Sequence, residues 1–162
     1  MPLLLRAIRK SRWNKTNCPW LAKDDIQADL LRDFETKDNT LSVWLVQDDR
    51  SNLNDVLLAL GASRDTASNL DYTIFDVGLL ANINIKLEIN AGNTLYAKAN
   101  CWHRDLVELT TNKIVKLAEY LLKNAEIERF SEKGMIKLIQ DAVNKNQIDR
   151  AKLKPSIDKR LV

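Results

Sequence analysis

The amino-acid sequence predicts an α/β or α+β fold, in which a small mixed sheet of about four strands with helices is followed by a C-terminal helical hairpin. Three observations lead there. Apolar runs of strand length alternate with helix-spaced leucines over roughly the first hundred residues. From about Leu106 onward only the helical spacing persists. The 162 residues, 45% hydrophobic and 29% charged with four glycines and three prolines, have the make-up of one globular unit long enough to bury a core without disulfide staples.

Each element rests on its own pattern. "PLLLRAI" opens with Pro2, which no interior strand accommodates, and its apolar stretch reads as the first strand. "KDDIQADLLRDF" (residues 23–34) places Ile26, Leu30 and Phe34 four apart, with Leu31 alongside and acids at its start; this is an amphipathic helix whose beginning suits the helix dipole. "LSVWLV" (residues 41–46) is rich in the types that fill a buried strand. "SNLNDVLLALGA" sets Leu53, Val56, Leu57 and Leu60 on one helical face, with Ser51 or Asn52 as cap and Gly61 as terminator. "DYTIFD" reads as a strand and "VGLLANI" as a short helix or turn. In "INIKLEIN", Ile83, Ile85, Leu87 and Ile89 alternate with polar neighbours, the mark of an edge or antiparallel strand with one wet face. "AGNTLYAKAN" reads as a loop with a short strand at "LYAKA".

Leu106, Leu109, Lys113, Leu117 and Leu121 then share one helical face, with Ile114 and Ala118 beside them. A second helix starts at the capping residue Ser131 and presents Met135, Leu138, Ile139, Ala142 and Val143, and a short helix precedes Pro155. Right-handed crossovers make "LSVWLV" and "YTIFD" neighbouring parallel strands with the leucine-rich helix on one face. The expected organisation is a sheet domain with a basic N-terminal segment over residues 1–105, and helices over residues 106–162 that pack on it as one unit or dock a partner.

The net charge of +3 is unevenly spread, at +6 over residues 1–23, −8 over residues 24–112 and +5 over residues 113–162. Basic ends of this kind serve acidic proteins, nucleic acid or an anionic surface, or they pair with the acidic middle of their own chain. No apolar run reaches the roughly 18–20 residues of a membrane span, and "MPLLL" is too short for a secretory signal, so a cytoplasmic protein is expected. Cys18 and Cys101 match no disulfide or CxxC framework, in keeping with a reducing compartment.

Few motifs carry chemistry. "HRDLVELTTN" contains the His-Arg-Asp triplet of a kinase catalytic loop, but the fifth residue after Asp105 is Thr110 where that chemistry needs a metal-binding asparagine. The glycine-rich loop and the other kinase signatures are also missing. "VWLVQDDRSNLNDVLLALG" resembles the opening of a response-regulator receiver domain, and "DYTIFDVGLL" resembles its later strand. That resemblance implies magnesium held by Asp48 and Asp49 and phosphorylation of Asp76. This chain departs from the family's pattern in having only 26 residues between Asp49 and Asp76, too few for the intervening helix, strand, helix and strand.

Two sets of residues remain as candidates. Strand-end carboxylates are where open sheets place their sites, so Asp49 and Asp76, joined by His103 and Asp105, form the set for a small metal-dependent hydrolase or nuclease. Their plainer role is to accept backbone N–H groups at helix starts. Arg9, Arg12, Trp13 and Trp20 in "RKSRWNKTNCPW" form the set for binding, because Arg and Trp dominate protein interfaces and aromatics among cations also stack on bases. The expected function is therefore macromolecular binding as an accessory protein, with another protein as partner. The enzyme is the first alternative and nucleic-acid binding through the basic termini the second. No cofactor or metal is expected for the binding protein.

Overall fold

"LLLRAI" forms strand β1 (Leu3–Ile8), and this strand occupies the middle of a sheet rather than its edge. The computed structural model describes residues 2–13, 20–22 and 25–162, and Cys18 with its expected thiol state lies outside them. The other strands are β2 (Leu41–Val46), β3 (Leu70–Asp76), β4 (Lys86–Ile89), β5 (His103–Val107) and β6 (Glu126–Phe130). They form one sheet in the order β4-β5-β2-β1-β3-β6, antiparallel throughout. The helices are α1 (Leu53–Ala62), α2 (Gly78–Asn82), α3 (Thr111–Asn124), α4 (Glu132–Asn144) and α5 (Pro155–Asp158).

The mixed α/β character follows the sequence, while several details are corrected. The sheet has six strands, not about four. β2 and β3 are not neighbours, because β1 pairs antiparallel with both and lies between them. That arrangement also differs from the parallel sheet of a receiver domain. The C-terminal helical hairpin is absent. The polar stretch between the two amphipathic helices is β6, whose register pairs Ile127 with Thr73 and Arg129 with Asp71. Its Ile127 is the one aliphatic residue facing the core, so as an edge strand it resembles a linker in composition.

The start of α3 is also corrected. Leu106 and Leu109 mimic helical spacing, yet Leu106 sits in β5 opposite Leu41 and Leu87. Glu108, at φ 54°, turns the chain, and Thr110 then caps α3 by accepting from the Lys113 N–H. The helix expected over residues 23–34 is a 3₁₀ helix over Ala28–Phe34, and "LYAKA" enters a 3₁₀ helix over Ala97–Trp102. The Ser131 cap is present, accepting from the Gly134 N–H. Gly61 does not end α1 as expected; it lies inside the last turn, where a Cβ would collide with the Met135 side chain. A close approach of α4 demands glycine there, not a turn.

Alternation along the strands sends side chains to two cores. Leu5, Trp44, Val46, Tyr72 and Ile74 face α1 and α4, meeting Val56, Leu57, Met135 and Ile139. Leu4, Val43, Phe75 and Leu106 face the opposite way, toward α3, α2 and the 3₁₀ helix of Leu30 and Phe34. The consecutive helices α3 and α4 thus cover opposite faces, which buries β1 on both sides. Leu4 and Leu5 are 0% exposed, and such burial contributes about 2 kcal/mol per side chain.

Candidate anion-binding cleft

The site begins with a break in the sheet. β1 pairs with β2 only from Leu3 to Leu5, whereas it continues beside β3 as far as Ile8 opposite Asp71. Past Leu5, β1 parts from β2, and Arg6 fills the gap. Its Nη1 donates to the Ser42 carbonyl at 2.8 Å, while Nε and Nη2 donate to the Asp33 carbonyl at 3.1 and 2.8 Å. A guanidinium fork therefore stands in for a backbone ladder. Burial draws the Arg6 pKa below its ordinary value, with the Asp33 charge opposing that change, and an arginine remains cationic under such conditions.

Two carboxylates anchor the chain that follows β1. Asp33, 7% exposed on the 3₁₀ helix, accepts at Oδ2 from the Arg9 N–H at 3.0 Å and from Trp13 Nε1 at 2.8 Å. Its Oδ1 accepts from Arg12 Nη1 at 2.6 Å. Asp71 on β3 holds the Lys10 N–H at 3.0 Å and takes a two-pronged contact from Arg129 of β6, at 2.6 and 3.0 Å. Hydrogen bonding from Arg129, and secondarily from the Lys10 backbone, holds the Asp71 carboxyl below the usual carboxylate range. Successive backbone N–H groups of residues 9 and 10 are thus seized by separate elements. The chain over residues 9–13 has a defined course because of them.

These contacts frame a cleft of about 290 Å³ at the β1–β2 parting, beside the C-terminal end of α1. Among the described residues ten line it, of which five are Arg6, Arg9, Arg12, Arg32 and Arg64 and one, Asp33, is a carboxylate. The arginines come from β1, the segment after it, the 3₁₀ helix and the turn after α1. Arg32 reaches Asp29 only at 3.9 Å with both side chains largely exposed. Arg64 gives one hydrogen bond, to the Asn69 carbonyl at 3.1 Å. Among the described residues the Arg9 guanidinium has no ion-pair partner. Such a surplus of desolvated and half-exposed guanidinium groups makes an attractive field for an anion.

The binding residues expected from the sequence divide. Arg9 and Arg12 line the cleft. Trp13 is 5% exposed, with its ring against Phe34, and serves as a strut rather than as a stacking surface. Trp20 is 76% exposed on the same connection. Arg6, Arg32, Asp33 and Arg64 were not anticipated. Only Arg6 gives a signal in the sequence, as a charge at an inward position within an apolar strand.

The expected catalytic set lies elsewhere. Asp49 accepts from the Ser51 N–H and Asp76 from the Gly78 N–H, each closing the turn after its own strand, and β1 runs between those strands. Hydrogen bonds from Ser51 hold the Asp49 carboxyl below its ordinary range. His103 and Asp105 do come together on one face of β5, with Nε2 3.8 Å from Oδ1. Both are engaged with Asn90. His103 Nδ1 lies 2.7 Å from the Asn90 carbonyl, the Asn90 amide donates to Asp105, and Ser42 adds a contact at 3.3 Å. With the Trp44 ring edge-on at 5.1 Å, this cluster fastens the loop between β4 and β5.

Among the described residues no group of three or more His, Cys, Asp and Glu side chains is gathered as for a metal ion, and no helix is long and apolar enough to cross a membrane. Compared with protein-family models, curated proteins and solved structures, the chain has no significant match.

Proposed function

We propose that this chain is an accessory binding protein that holds an acidic segment of a partner protein in the arginine cleft. The observation that carries this reading is the convergence of five arginines on one cleft whose carboxylate among the described residues, Asp33, already holds three of the protein's own donors. An acidic segment supplies the missing counter-charge. Arg9 and Arg12 are the expected binding residues retained in this reading, with Arg6, Arg32 and Arg64 added. The strand-end enzyme is less well supported, since Asp49 and Asp76 are occupied in separate turns. Nucleic acid is also the weaker reading, because burial of Trp13 removes one of the two aromatic platforms it needs.

The test is titration of the protein with a fluorescent glutamate-rich peptide at low ionic strength. Binding is expected to weaken at least about tenfold in the double variant Arg9→Glu, Arg64→Glu, and to fall as salt screens the cleft. Circular dichroism checks that the variant is folded. A peptide that does not bind, or binds both proteins equally, removes this reading.

A further inference from the structure

Resting on that reading, we infer that the group seated in the cleft is a phosphate monoester, carried by a phosphorylated serine or threonine of the partner. A carboxylate brings one negative charge, whereas a phosphorylated side chain brings close to two together with three strong acceptor oxygens. Among the described residues, five guanidinium groups facing a single, already paired carboxylate are poorly matched by one Glu or Asp and better matched by a dianion.

Donor geometry points the same way. A guanidinium has five N–H donors. Arg6 spends three on the carbonyls of Asp33 and Ser42, which fix the group and leave one N–H on each Nη. Arg64 spends one, and Arg9 spends none within the described residues. The cleft therefore combines one fixed guanidinium with exposed arginines, Arg9 and Arg32, and planar guanidinium groups match phosphate oxygens in pairs. Size limits the ligand as well. The 290 Å³ volume equals that of about ten waters, enough to seat a phosphoryl group and its side-chain stem.

The test compares four probes on the full chain by competition: a short alanine-glycine peptide with one phosphoserine, the same peptide with glutamate in that position, inorganic phosphate, and a single-stranded oligonucleotide. The phosphoserine peptide is expected to bind at least about tenfold more tightly than the glutamate peptide. Arg9→Ala and Arg64→Ala should each remove most of that difference while leaving the fold intact by circular dichroism. Inorganic phosphate should displace the peptide only at much higher concentration. Equal binding of the two peptides overturns the phosphate inference and leaves the acidic-partner reading standing. If neither peptide binds, both fall. Displacement by inorganic phosphate at the peptide's own concentration assigns the site to free phosphate and overturns the phosphorylated partner. Tighter binding of the oligonucleotide than of either peptide overturns both readings.

Discussion

Asp33 and Asp71 do for the segment after β1 what a tight turn does elsewhere: they capture its backbone. Each is buried, and each is shared between a backbone N–H and an arginine. For Asp71 this has a pH signature. Its folded pKa is depressed, so its contribution is fully present above the unfolded value of about 4 and is lost as pH falls through the lower folded value. Asp71→Asn should therefore cost about 1–2 kcal/mol at neutral pH, and the gap between variant and parent should close as the pH is lowered below about 4. Urea denaturation at a series of pH values measures it; a gap that does not change with pH would contradict the assignment. Legibility at this scale was uneven. Arg9 and Arg12 were visible because they sit in one basic run, but Arg32 and Arg64 are far apart in sequence and meet only through the sheet topology. Asp33 was hidden in what looks like the polar face of a helix.

Elements were legible where the side chains alone decide them. β1, β2, β3, α1 and α4 follow from their apolar spacing. β5 and β6 did not, for different reasons. Leu106, the penultimate residue of β5, falls by chance on the helical spacing of α3, and the strand's extended form is imposed by ladders with β2 and β4 on both sides. β6 carries Glu126, Glu128 and Arg129, charges that suit an edge and disguise a strand. The contact between α1 and α4 depends on one position. Met135 occupies the space a Cβ at residue 61 would need, and valine adds two further carbons to a site closed on both sides. Gly61→Val should lower stability by about 1–3 kcal/mol through overpacking. Truncation of the obstacle in the pair Gly61→Val, Met135→Ala should return part of that loss, and no recovery in denaturant melts would place the strain elsewhere.

At the scale of the molecule, the uneven charge seen in the sequence turns inward in part. Arg12 from the basic start and Arg129 from the basic end each reach an acid of the middle, Asp33 and Asp71. Arg9 from the basic start has no such partner among the described residues and lines the cleft with Arg32 and Arg64 of the acidic middle. The same architecture makes the C-terminal part indispensable. Removal of residues 125–162 takes away β6 and α4, leaving β3, buried along nearly its whole length, as a bare apolar edge. That fragment should aggregate and show no cooperative thermal transition. A monomeric fragment with a sharp melt, seen by size-exclusion chromatography and circular dichroism, would refute the prediction.

The central place of β1 has a kinetic consequence. The strand precedes in the chain both of the neighbours that flank it, and its inner leucines pair with residues as distant as Trp44 and Ile74. No local hairpin can form first and recruit the rest at the middle of this sheet. Loop closure must be met before the central ladder returns any free energy, so the protein belongs with slow folders of high contact order. Until β2 and β3 arrive, "LLL" is a sticky apolar stretch with no partner, and the cations that follow it at residues 6, 9, 10 and 12 act as gatekeepers against premature association.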